Sequence, residues 1–312
     1  MDIFLKSISG ILVILGMILV GFVIGEKGWF DDKSRGLLAK LVTQVALPCY
    51  MLYTITQRFT AADLLKMLPA LRFPALSMVV LLGIATAVAR IFAVRQDRRG
   101  LFISMFFNSN TIFVGLPINQ ALFGDDSIPY VLIYYMCNTT FFWTLGTYLI
   151  QRDGEGEARF DLKTSLKKVF SPPLMGFLLG LVLVMLQIKL PAFIASDLQY
   201  LGNLTTPLSM IFIGLSVSHV GVKQLVLGKD QLLILLGRFL VAPLLMATIV
   251  YWVPLPSLMK QVFIIQSAMP VMTNAPVVAS LYGADSDYAA VMVTETTLAT
   301  MVVIPILMLL MA

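Results

Sequence analysis

Residues 101–126 read LFISMFFNSNTIFVGLPINQALFGDD, an apolar run whose middle holds Asn108, Ser109, Asn110 and Thr111, followed by Gly115 and Pro117. A second run, residues 262–283, reads VFIIQSAMPVMTNAPVVASLYG and carries Gln266, Ser267, Pro270, Thr273, Asn274 and Pro276 at its centre. Proline removes a backbone donor and clashes with the carbonyl four residues earlier. The carbonyls of Phe113, Gln266 and Met272 are therefore expected to lose their helical partners. Each run predicts two half-helices with a break between them. A half-helix beginning near Pro117 or Pro276 directs unpaired N–H groups and a positive dipole end toward that break.

The surrounding composition places both breaks in a membrane. Of 312 residues, 59% are hydrophobic and 12% are charged, against about 25% charged in a soluble domain. Nearly uncharged stretches cover 7–25, 41–57, 73–89, 100–124, 127–151, 169–188, 198–222, 231–259, 261–284 and 288–312. Each is long enough to cross a hydrocarbon core of about 30 Å as a helix, which takes roughly 17–25 residues. Lipid offers no partner to backbone N–H and C=O groups, so the runs are expected to be helices. The fold class is an all-α integral membrane protein with ten transmembrane helices. Ser7 to Gly25 is read as the first span, because it exceeds a typical leader core and is followed by Glu26, Lys27 and Gly28.

Several function classes are disfavoured by the same inspection. Cys49 and Cys137 both lie in apolar runs, and His219 is the single histidine, so no metal centre is expected. No nucleophile–base constellation appears and no cofactor is implied, so the chain does not read as an enzyme. The net charge of +5 is not a nucleic-acid footprint, because the cations gather on one set of alternate loops. Fifteen Lys and Arg fall on that set, including Arg95, Arg98 and Arg99, and six on the other. The positive-inside rule makes the basic set cytoplasmic and places both termini outside. The basic loop residues read most simply as anchors for anionic lipid.

The chain also contains a repeat. At a constant offset of 159, Pro48 falls on Pro207, Met51 on Met210 and Pro117 on Pro276. Leu122, Gly124, Asp126 and Ser127 fall on Leu281, Gly283, Asp285 and Ser286 in the same register. The domains are then 1–150, a first five-helix repeat; 151–170, a short cytoplasmic loop; and 171–312, a second five-helix repeat. Five spans per copy force the second into the membrane inverted, with broken helices 4 and 9 expected to cross at the midplane. Inverted repeats with discontinuous helices are characteristic of secondary transporters, whose substrate sites lie at the repeat interface.

The segment NSNTIFVGLPINQALFG and its proline-broken counterpart resemble the auxin efflux carrier family, which includes plant auxin exporters and bacterial malate and malonate permeases. The resemblance covers the whole chain, and the short central loop is similar to that of the bacterial members. It implies movement of an organic anion by an elevator-like motion, in a bacterial cytoplasmic (inner) membrane. Spans 1, 2, 6 and 7 would form a scaffold, often a homodimer, while spans 3–5 and 8–10 move. Pro48 and Pro207 would be scaffold kinks without a ligand role. Related bile-acid symporters also cross two broken helices, so the motif is moderately specific.

Two ionisable residues fall well inside a span, Arg238 in LLILLGRFLVAPLL and Glu295 in AAVMVTETTLATMVV. A charge at the bilayer centre costs roughly 2.5–3.5 kcal/mol on insertion scales, so each needs a partner or a cavity. Glu295 lies among Thr294, Thr296 and Thr297, whose hydroxyls are expected to offer oxygen ligands to a cation. Burial disfavours its ionised form, which suits it to carry a proton. It alternatively pairs with Arg238, or Arg238 snorkels toward the cytoplasmic face. In the fifth span, Asn138 is a candidate to line the site, whereas Thr139 and Thr140 are expected to bond back to their own helix.

The sequence thus predicts a secondary active transporter of a small organic anion, a mono- or dicarboxylate, with H⁺ or Na⁺ as coupling ion. Substrate contacts are expected from Asn108, Ser109, Asn110, Thr111, Gly115, Pro117, Asn138, Thr273, Asn274 and Pro276, and coupling from Glu295 and Arg238. The alternatives are a sodium-coupled symporter of the bile-acid type and a receptor or scaffold that keeps the fold without transport.

Overall fold

The computed structural model describes residues 2–154, 170, 172–220 and 228–311, and every regular element among them is helical. In chain order the first helices are α1 (Asp2–Glu26), α2 (Asp32–Leu41), α3 (Leu47–Arg58), α4 (Ala61–Met67), α5 (Arg72–Ile91), α6 (Arg99–Phe107), α7 (Gly115–Phe123), α8 (Ile128–Phe141) and α9 (Thr147–Gln151). Then follow α10 (Pro172–Met185), α11 (Ala192–Asn203), α12 (Thr205–Val220), α13 (Lys229–Leu236), α14 (Ala242–Tyr251), α15 (Ser257–Ser267), α16 (Ala275–Tyr282) and α17 (Ser286–Met311). Most of the proposed central loop, 155–169, lies outside the described residues.

Five helical stretches are long and apolar enough to cross a membrane: Lys33–Arg58, Leu64–Ile91, Ala192–His219, Lys229–Tyr251 and Ser286–Met311. Leu12–Glu26 and Pro172–Met185 are apolar but shorter. The fourth and ninth runs are each two short helices, as their prolines require. Leu76 and Val79 on α5, Leu244 on α14 and Leu309 on α17 are at least half exposed. Water would penalise such faces and lipid would not. Trp29, just past the end of α1, and the Tyr251–Trp252 pair at the end of α14 are also exposed, as expected of aromatic anchors at a membrane interface.

Three wide π turns, Val42–Ala46, Phe142–Gly146 and Gly237–Val241, join α2 to α3, α8 to α9 and α13 to α14. Two of them have a local cause. Pro48 and Pro243 deprive the carbonyls of Gln44 and Phe239, which lie inside the turns, and a π turn accommodates the missing bond. At the third, the Thr147 hydroxyl donates to the Phe142 carbonyl at 3.0 Å.

The chain packs as two compact units. One contains 13–70 and 167–219, which hold α3, α10, α11 and most of α1 and α12. Its helices meet at very close range. A Cβ on Gly21 would stand 2.2 Å from the Ile211 carbonyl oxygen, and one on Gly214 would stand 2.1 Å from that of Ile18. Without side chains at these two points, α1 and α12 touch backbone to backbone, the small-residue contact common between membrane helices. Pro48 lies against α10, where a Cβ on Gly176 would come within 2.5 Å of its carbonyl oxygen.

The other unit contains 1–12, 71–166 and 220–312, and holds both helix breaks. At one end of it, the Arg98 guanidinium pairs with Asp230 at 2.6 Å and lies 4.6 Å over the Tyr288 ring. Arg99 donates to the Val94 carbonyl at 3.0 Å, and Arg95 pairs with Asp97. The hydrogen bond from Arg95 holds the Asp97 carboxyl below the usual carboxylate range. Arg98 and Arg99, expected from sequence to anchor lipid, thus have partners within the protein.

Candidate functional site

The first half-helix of the fourth run, α6, is buried from Gly100 to Phe107. Its amino end is capped by Asp153, just past α9, whose carboxylate accepts from Gly100 N at 2.9 Å and Leu101 N at 2.6 Å. Burial holds the Asp153 carboxyl above its ordinary range, a rise that these two amide bonds oppose without cancelling. A cavity of about 360 Å³ opens here, lined by Arg99, Arg152 and Asp153 among others. At 1.5 Å per residue, the nine residues of α6 put the helix break roughly 13 Å away.

Beyond Phe107 the backbone leaves the helix. Asn108 is extended, with φ −94° and ψ 143°, and helix resumes only at Gly115. Asn138 of α8 ties down the freed strand from the side. Its Oδ1 accepts from Ser109 N at 2.9 Å and its Nδ2 donates to Ser109 O at 2.7 Å. One amide side chain thereby satisfies both backbone groups of a residue that has no helical partner, as burial demands. The Asn108 amide donates weakly to the Asn138 carbonyl at 3.4 Å, and its own Oδ1 is buried without a partner among the described residues.

The ninth run breaks in the same way, leaving helix at Ala268 and resuming at Ala275. The two breaks touch. Asn110 N donates to the Pro270 carbonyl at 2.8 Å, and the Gln266 amide donates to the Thr111 carbonyl at 3.3 Å. Gly115 is what allows Gln266 in, since a Cβ there would stand 2.3 Å from the Gln266 Oε1. Asn110 Oδ1 also accepts from Phe113 N at 3.1 Å, and its Nδ2 is buried without an acceptor among the described residues.

Of the residues expected at the site, Asn108, Ser109, Asn110, Thr111 and Asn138 thus form one buried network. Pro117 is buried in the first turn of α7. Thr273, Asn274 and Pro276 are half-buried at the start of α16, and neither Thr273 nor Asn274 hydrogen-bonds to another described residue through its side chain. Gln266 belongs with the network although it was not among the expected contacts. Its signal was a lone amide in an apolar run. The carbonyls of Gln266 and Met272 are not orphaned as expected, because turns return them the amides of Met269 at 3.3 Å and Ala275 at 3.0 Å.

Arg238 and Glu295 correct the reading that joined them. Arg238 is fully buried on its π turn and forms no ion pair with Glu295. It does not snorkel either. Its Nε and Nη2 donate to the Met269 carbonyl at 3.1 and 2.9 Å, Nη2 also to Ser267 at 2.5 Å, and Nη1 to Phe106 at 3.1 Å. These carbonyls lie where α6 and α15 end, the negative poles of both helices. Glu295 is buried, and neither carboxylate oxygen has a hydrogen-bond partner among the described residues. The neighbouring hydroxyls of Thr294, Thr296 and Thr297 bond back to their own helix. Thr296 in addition accepts from Val271 N at 3.0 Å, which holds α17 against the second break.

The sequence profile of a family described as membrane transport protein matches residues 7–308. An uncharacterized transporter of Methanocaldococcus jannaschii is 28% identical over 299 residues, covering 94% of this chain and 95% of its own length. An uncharacterized transporter of Methanothermobacter thermautotrophicus is 28% identical over 312 residues, covering 97% and 98% respectively.

Proposed function

The chain belongs to the membrane transport protein family, and on that premise we propose that it is a secondary active transporter of a small organic anion, a mono- or dicarboxylate, coupled to protons. The observation that carries this reading is the pair of touching breaks, where buried polar groups outnumber their partners. Among the described residues, Asn110 Nδ2 lacks an acceptor, and Asn108 Oδ1 and Gln266 Oε1 lack donors. Buried polar atoms without partners are rare and costly. A bound solute with oxygen acceptors and ordered water satisfies them.

The finer architecture is part of the same proposal: ten spans in two inverted repeats, moving by an elevator-like exchange. It is supported by the offset of 159, at which Gly124 and Gly283 each cap the end of a half-helix with a positive φ. The breaks 108–114 and 268–274 correspond within one residue of that offset. The division of the chain supports the moving part, since both breaks fall in the unit that contains 71–166 and 220–312. The orientation rests on the loop charges. A reporter fused after Ala312 is expected outside the cytoplasm and one inserted in 151–170 inside; both on one side would contradict five spans in the second half.

Uptake of radiolabelled mono- and dicarboxylates into proteoliposomes tests the function, with sodium replaced by choline in a parallel series. Flux that survives choline supports proton coupling, and flux lost in choline transfers the role to sodium. Absence of flux for every carboxylate, with retained binding, would make the protein a receptor.

Asn108 and Asn274, two of the four asparagines expected to touch substrate, separate on burial. Asn274 is half-buried, and its side chain has no hydrogen-bond partner among the described residues, so Asn274→Ala is expected to weaken carboxylate binding while leaving thermal stability unchanged. A hydrogen bond to a charged group is worth about 1.5–3 kcal/mol, so the affinity loss is roughly 10-fold or more. Asn108→Ala removes a buried bond to Asn138 and is expected to lower stability by about 1 kcal/mol as well. Calorimetric binding beside thermal unfolding measures both; unchanged affinity in Asn274→Ala removes it from the site.

A further inference from the structure

We propose that Arg238 sets the charge selectivity of this site, acting as a positioning residue that makes the paired helix breaks net positive. The inference rests on the preceding reading of the breaks as an organic-anion site. Four helix ends converge on the breaks: the carboxyl ends of α6 and α15 and the amino ends of α7 and α16. Each end carries a partial charge of about half a unit, negative at carboxyl ends and positive at amino ends. Left alone, the four would cancel.

Arg238 removes that balance. Its guanidinium is bonded to the carbonyls of Phe106, Ser267 and Met269, all at the two carboxyl ends. Among the described residues, it pairs with no carboxylate. Its full charge therefore offsets the two negative poles and leaves the two positive poles uncompensated. A second feature points the same way. Asn110 is buried in the first break, its Oδ1 is bound to Phe113 N just ahead of α7, and its Nδ2 donor lacks an acceptor among the described residues. The amino end of α7 thus presents a field and an unused donor together, both of which an anionic oxygen satisfies and a neutral amine does not.

A merely structural arginine and a charge-setting one differ in what their loss does to ligand preference. If Arg238 only holds the breaks together, its replacement weakens carboxylates and their neutral amides alike. If its charge selects, replacement lowers the preference for the carboxylate. A unit charge about 10 Å away at an effective dielectric of about 20 changes that preference by roughly tenfold or more.

The test measures binding of malonate and acetate, and of malonamide and acetamide, to the full-length protein in lipid nanodiscs. Wild type, Arg238→Gln and Arg238→Lys are compared. The expected result is a strong carboxylate preference in wild type, kept within about threefold in Arg238→Lys, which retains the charge, and reduced about tenfold or more in Arg238→Gln. A folded Arg238→Gln protein with the wild-type preference overturns the proposal while leaving the anion reading intact. A wild-type protein without any carboxylate preference overturns the anion reading, and this proposal with it. Should Arg238→Gln not fold, Arg238→Lys decides through pH: a carboxylate preference lost at alkaline pH, where lysine gives up its proton and arginine does not, sustains the proposal, and a preference as constant with pH as that of wild type overturns it.

Discussion

Arg238→Met is expected to lower the midpoint of thermal unfolding by on the order of 10 °C. Methionine nearly fills the volume but donates no hydrogen bond. The carbonyls of Phe106, Ser267 and Met269, all served by Arg238, would then be left in a dry interior. An orphaned buried polar group costs about 1–3 kcal/mol. Against this runs a gain, because a buried cation carries a desolvation cost that methionine does not. The carbonyls decide the sign, since three of them lose a charged donor at once and no backbone amide replaces it. A net loss of roughly 3–5 kcal/mol follows. Thermal unfolding followed by intrinsic fluorescence in detergent measures it. A midpoint within about 2 °C of wild type, less than 1 kcal/mol would produce, would show that the guanidinium does not hold the breaks together.

Glu295→Gln is expected to do the reverse, sparing stability and removing work. Glu295 is buried and neither oxygen accepts a hydrogen bond from a described residue, so glutamine leaves no partner charge stranded. An ion pair with Arg238 would have predicted destabilisation in both variants, and the observed separation of the two side chains predicts it in one. Thr296 supplies a connection from Glu295 to the site, because its hydroxyl accepts from Val271 N at 3.0 Å within the second break. A proton that loads and leaves Glu295 changes the charge of the helix that buttresses the break. With glutamine, substrate exchange is expected to continue near the wild-type rate, whereas accumulation under an imposed pH gradient falls to the level set by exchange alone. Uphill uptake and exchange in proteoliposomes, run beside thermal unfolding, separate these outcomes. Full gradient-driven accumulation in Glu295→Gln would assign coupling to another group.

The two breaks were legible in the sequence because their cause is local. Pro117, Pro270 and Pro276 each delete a donor and crowd a carbonyl within the same run, whatever packs around them. The helical character of the rest was legible for a similar reason, since a segment in lipid must satisfy its own backbone. One threonine bond was legible too: Thr140 donates to the carbonyl of Met136, four residues back on its own helix.

What the tertiary structure alone decided is which groups meet across runs. Arg238 and Glu295 were the two charges in the membrane, and pairing them was the economical reading of a one-dimensional list. Packing instead sets Arg238 against two helix ends, one of them 132 residues away in sequence, and leaves Glu295 without a partner among the described residues. The backbone groups expected to be orphaned were likewise near the right ones. Turns recover the Gln266 and Met272 carbonyls, whereas Ser267 and Met269, one and three residues beyond Gln266, depend on Arg238. Hydrogen bonds within a helix depend on spacing along the chain, so the sequence determined the helices, their breaks and the Thr140 bond. The partners of Arg238, Asn138 and Gln266 depend on distances between helices, which only the packed fold sets.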